Sequence, residues 1–243
     1  MNSDEHNKST GGLSPSATVQ EDTDDQAKPA EIAKEVLALL KASFQPNHLF
    51  IRAVHDSFEG INPKFYTQRQ ARFEELGFAW LCDLEDKTIS DQGKIVTFSR
   101  IMRNQTSNAL AVFYYIPLLE AGFFEFESLL SDGSFVVSTT VPESNKIADW
   151  PAIACHSYPV DIDEYALYQN HLLDVLQACG EGVSILEINS FEAVVESQNA
   201  SNRYKYEYLR SIGWVTREYL LKQCFGDEQL ADRVYAIIKQ MNL

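Results

Sequence analysis

The chain has 243 residues, 45% of them hydrophobic and 12% aromatic, enough to bury a sizeable core without disulfide staples. Its 20 lysines and arginines against 35 aspartates and glutamates leave a net charge of -15, which excludes a broad electrostatic grip on nucleic acid and disfavours adsorption to an anionic membrane. No stretch approaches the roughly 18 apolar residues of a spanning helix, and Met1–Lys28 holds no secretory apolar run, so a soluble, cytoplasmic protein is expected.

Residues 1–29 are rich in Ser, Thr, Gly, Asp, Glu and Gln and cannot offset the entropy of ordering their backbone, which predicts a disordered acidic tail. Pro29 then suits the first turn of a helix, and Ile32, Val36, Leu39 and Leu40 recur at helical spacing to about Phe44. His48–Val54 has strand character. Asn62 before Pro63 starts a second helix with an apolar face of Phe65, Tyr66, Phe73 and Leu76, and Gly77 stops it.

Five strand-like segments follow: 78–84, 95–103, 109–116, 123–130 and 134–141. Turn residues separate them, Asp91-Gln92-Gly93, 104–108, Ala121-Gly122 and Asp132-Gly133, the last being the strongest hairpin signal in the chain. Connections this short force antiparallel neighbours, and so a meander. The segment 142–159 reads as irregular. Asp161, Asp163 and Glu164 crowd the start of a helix that ends at Gly180, and three further helices are expected over 190–212, 214–224 and 227–241, divided by Gly213 and Gly226. The expected architecture is α+β: an antiparallel sheet of about five strands with helices packed on it across 30–180, and a helical C-terminal part across 181–243.

Candidate chemistry is sparse. Phosphate loops, dinucleotide fingerprints, nucleophile elbows and H-E-x-x-H are absent, and Cys82, Cys155, Cys179 and Cys224 are scattered without metal-ligand spacing. Reduced thiols, no metal and no cofactor are therefore expected. His55-Asp56 lacks the further ligands a phosphohydrolase metal pair needs, and Cys155-His156 reads as a buried thiol beside an exposed imidazole, because neighbours on an extended segment point apart. The alternating Tyr204, Tyr206 and Tyr208 suit packing or an oligomer contact.

Two sets remain. His171, mid-helix, together with Glu125 and Glu127 forms an acid/base set if that helix crosses the wetter face of the strand carrying the two glutamates. Arg69 and Arg72, one helical turn apart, with Arg100 and Arg103 on a strand, form an anion site if their guanidiniums converge rather than pair with acids. Two functions follow. The preferred one is a noncatalytic protein-binding or interaction protein, with a protein partner or homo-oligomer and an exposed apolar patch. The alternative is a binder of a small anionic ligand, or a hydrolytic enzyme, with a pocket between sheet and helix into which Glu125 and Glu127 point.

Overall fold

The computed structural model describes residues 24–54, 58, 61–92, 98–143 and 146–241. The acidic tail up to residue 23, the His55-Asp56 pair and Gly93 lie outside these residues. Helix α1 spans Asp24–Ser43, so it starts five residues before the proline expected to open it, and Pro29 sits inside it. The short strand β1 (Phe50–Arg52) precedes α2 (Pro63–Glu75), whose cap is the expected one: the Asn62 side chain accepts from the Phe65 N–H, with proline in the first turn. Gly77, at φ +82°, reverses the chain into β2 (Phe78–Asp86).

A helical turn α3 (Lys87–Gln92) stands where only a loop was expected. Its start is fixed by a local cap, in which Asp86 accepts from the Ile89 N–H, and by a tertiary contact, in which Thr88 Oγ1 accepts from the Leu49 N–H. Strands β3 (Phe98–Asn104), β4 (Leu110–Ile116), β5 (Ala121–Leu129), β6 (Phe135–Thr139) and β7 (Ile153–Ser157) follow. The chain closes with α4 (Glu164–Ala178), α5 (Phe191–Ile212), α6 (Arg217–Gln223) and α7 (Glu228–Met241).

Among the described residues the sheet has seven strands in chain order, not five. Every neighbouring pair from β1 to β6 is antiparallel, as the short connections from β3 to β6 demand, including the β5–β6 hairpin at Asp132-Gly133, where Gly133 has φ +86°. The two added strands lie at the edges. Strand β1 is the strand-like stretch near His48, and β7 arises inside the segment read as irregular, pairing parallel with β6. A parallel neighbour needs a crossing connection, here residues 140–152, and the Ile-Ala-Cys-His-Ser stretch has little apolar alternation to announce it.

The pleat sorts side chains onto two faces. On one, Phe98, Met102, Phe113, Phe124 and Phe126 meet Tyr66 and Phe73 of α2 and Leu167 and Tyr168 of α4. On the other, Ile101, Leu110 and Val112 meet Val194 at the start of α5. Strand β2 serves both faces because its register shifts between Trp80 and Cys82: Phe78 packs on the first face, Cys82 and Leu84 on the second. A separate apolar cluster joins the two ends of the chain, with Ala33, Leu37 and Leu40 of α1 against Leu209 of α5, Leu220 of α6 and Val234 and Ile238 of α7.

Candidate functional site

Helix α5 crosses the second face of the sheet, and the space beneath it is a cavity in two chambers. One, of about 230 Å³, lies under Phe44, Pro142, Ile147 and Trp150 against β6 and β7; the other, of about 260 Å³, lies against β1 to β4. Glu125, Glu127 and Gln198 line both chambers and form the waist between them. The walls are largely apolar: Phe135, Val137 and Ile153 on one side, Leu84, Ile101, Val112 and Ile116 on the other.

The two glutamates point this way because β5 alternates. Phe124, Phe126 and Ser128 face the aromatic core, which sends Glu125 and Glu127 to the opposite face. Both are half-buried there. Gln198 of α5 donates to Glu127 Oε2 at 2.9 Å. Burial raises the pKa of Glu127 to about 8, the nearby Glu125 charge adds to this, and Lys205 opposes it; burial also raises Glu125, against a hydrogen bond from Thr139. Both carboxyls are thus pushed above the ordinary range, because burial and each other's charge disfavour ionising the two together. At neutral pH Glu127 therefore holds a proton, and Lys205 faces the pair.

Sequence reasoning missed the helix side of this site. Gln198, Ser201, Asn202 and Lys205 follow an i, i+3, i+4, i+7 pattern, and all four line the cavity. A polar stripe of that kind normally marks the solvated face of a helix. Here it faces the sheet, and no apolar signal announces it. His48 was also missed. Its main chain is clamped by Asn199, whose Oδ1 accepts from the His48 N–H at 2.8 Å and whose Nδ2 donates to the His48 carbonyl at 3.3 Å. The ring Nδ1 lies 2.5 Å from Asp86 Oδ2, and Asp86 lines the second chamber.

His171 is on the other side of the sheet. It is fully buried on α4, with Ser128 Oγ 2.9 Å from Nε2 and Ser138 Oγ 2.9 Å from Nδ1. Ser138 donates its one hydroxyl hydrogen to Asp174 Oδ2 at 2.8 Å, so Nδ1 must carry a hydrogen for the serine to accept, and Nε2 accepts from Ser128. Tyr158 also donates to Asp174, at 2.9 Å. Burial holds His171 down at about 4, so at neutral pH the ring is neutral and its bare Nε2 takes the Ser128 hydrogen. The carboxylate is bonded to the serine and not to the imidazole, so the trio lacks the order of a nucleophilic triad. The set of His171, Glu125 and Glu127 is thus divided by the sheet itself.

The four arginines are also dispersed. Arg69 pairs with Glu164, Arg72 with Glu75 at 3.0 Å, Arg100 with Asp83 at 2.7 Å and Arg103 with Glu187 at 2.7 Å. Arg69 and Arg72 do share one surface hollow on α2, but Arg100 binds Gln70 at the other flank of that helix. Arg103 is an odd number of residues further along β3 and projects from the opposite face. Cys155 lines the first chamber, while His156 beside it is exposed and 4.0 Å from Asp174; burial raises the Cys155 thiol above its ordinary range, so it is no resting thiolate. Tyr204 stacks on Tyr208, while Tyr208 meets Trp150 and Tyr206 meets Trp214 edge to face, all as packing.

Among the described residues no group of His, Cys, Asp and Glu is placed to hold a metal ion, and no helix is long and apolar enough to cross a membrane. Compared with models of protein families, with curated proteins and with solved structures, the chain matches none.

Proposed function

We propose that the protein binds a small amphipathic molecule, without covalent chemistry, in the cavity between the sheet and α5. The observation that carries this reading is the placement of Glu125 and Glu127 at the waist of two apolar chambers, opposite Gln198 and Lys205. A few convergent polar groups set in apolar walls orient a ligand, while the walls supply affinity by excluding water. Hydrolysis is the weaker alternative, because His171 stands behind the sheet. An anion held by arginines is weaker too, since each guanidinium already has an acid.

The test is a small-molecule screen by thermal shift on the full chain and on Asn202→Trp, which fills the second chamber from the helix. Ligands of this site raise the melting temperature of the parent chain, by about 3 kcal/mol of linkage at a hundredfold excess over Kd, and do not raise that of the variant. Ligands that stabilise both chains equally bind elsewhere and refute the assignment.

A second reading, a protein-interaction surface, is favoured by Tyr165, Leu173 and Leu176 on the outer side of α4, which are 61%, 54% and 72% exposed. Its measure is the oligomeric state of the free chain.

A further inference from the structure

Resting on the reading of the cavity as a small-molecule site, we infer that the ligand is a cationic amine, its ammonium set against Glu125 and Glu127 and its apolar body in the chamber under β1 to β4. The two chambers differ in charge. The first is lined by Lys146 and Lys205 as well as the glutamates, whereas the second is lined by Glu125, Glu127 and Asp86, the last already engaged by His48, and by no lysine or arginine. An anion entering the second chamber meets only acids and neutral groups. A cation meets charge of the opposite sign in surroundings of low dielectric, where the attraction is least screened.

The walls decide what kind of cation. Leu84, Ile101, Val112 and Ile116 match a hydrocarbon body, and among the described residues the chamber's carboxylates belong to no group placed to hold a metal ion. The remaining groups facing the pair are Tyr114 on β4, Thr139 on β6, Cys155 on β7 and, on α5, Gln198 and Lys205. Burial holds Tyr114 well above its ordinary range and Cys155 above its own, so neither adds charge at neutral pH. In the free site at neutral pH a proton on Glu127 eases the repulsion between the two carboxyls. An incoming ammonium donates hydrogen bonds to both carboxylates and takes over that role. The proton held by Glu127 leaves to solvent, the total charge of site and ligand falls by one, and no covalent bond other than the O–H is broken.

Three probes of one shape separate charge from shape: benzylamine, benzyl alcohol and benzoate, titrated at millimolar concentration into the full chain near pH 7 by calorimetry. Benzylamine binds at least about tenfold more tightly than benzyl alcohol, and benzoate more weakly still. The benzylamine heat changes with the ionisation enthalpy of the buffer, because a proton is released, and that of benzyl alcohol does not. In the double variant Glu125→Gln, Glu127→Gln the amine falls to the level of the alcohol, and Asn202→Trp removes both. If the alcohol or benzoate binds as tightly as the amine and Asn202→Trp abolishes that binding, the cavity reading stands and the amine assignment is overturned. An amine preference that survives in the double variant, or amine binding without proton release, also overturns it. If none of the three binds, both readings fall together.

Discussion

Half-buried Glu127 and fully buried His171 lie on opposite faces of one sheet, and their environments push their pKa values away from the ordinary range in opposite ways with respect to stability. The folded chain keeps a proton on Glu127 up to about pH 8 that the unfolded chain has lost, so its contribution is present at low pH and disappears as pH rises through 8. His171, held at about 4 against an ordinary 6.5, works in the reverse sense: the unfolded ring takes up a proton below 6.5 that the folded ring refuses, so stability is lost as pH falls from 6.5 towards 4. Between pH 6.5 and 8 only Glu127 of these two acts. Across that interval urea unfolding should show stability falling, on the order of 1 to 2 kcal/mol, with Glu127→Gln giving a flat profile. His171→Gln should leave this alkaline slope intact and reduce the acidic one. An equal slope in the parent chain and Glu127→Gln contradicts the proton placement on which the amine site is built.

At the scale of elements, α2 and β5 are held close by the absence of one side chain. Gly122 sits in β5 opposite Tyr115, and a Cβ there would meet the Phe65 ring of α2 at 2.2 Å. Phe65 is itself packed against Tyr66, Phe113 and Tyr115, so the ring has little room to yield. Gly122→Ala should therefore cost about 1 to 3 kcal/mol through overpacking, read as a lower urea midpoint with an unchanged m-value. The sequence marks Ala121-Gly122 as turn chemistry, and the glycine is instead the first part of a strand that needs a close helix. Helix ends were more legible. Asn62, Asp163, Ser190 and Asp227 all accept from N–H groups at the starts of the helices they precede, because a short polar side chain beside a run of helical spacing satisfies donors that no backbone carbonyl reaches. Strand β7 was not legible, since a parallel edge strand takes its register from a neighbour reached only after a long crossing segment.

On the whole molecule, the outer side of α4 presents Tyr165, Leu173 and Leu176 away from the sheet that its inner side covers. If that surface mediates self-association, sedimentation velocity should show a larger species growing with concentration in the parent chain and a single monomer in Leu173→Glu, Leu176→Glu. A parent chain that stays monomeric at high concentration excludes the homo-oligomer form of the interaction reading and leaves the cavity reading untouched. The amino-acid sequence alone determined the class of fold, the antiparallel order of the central strands and most helix boundaries, because these follow from local spacing, turn residues and capping groups. It also marked Glu125 and Glu127 as a pair on one side of a strand. What only the tertiary structure decided is which layer covers that side: α5 lays a polar stripe over the glutamates, α4 takes His171 to the opposite face, and four arginines find four separate acids. Alternation along a strand tells which side chains share a face, but the helix that packs on it is chosen by contacts between residues far apart in the chain.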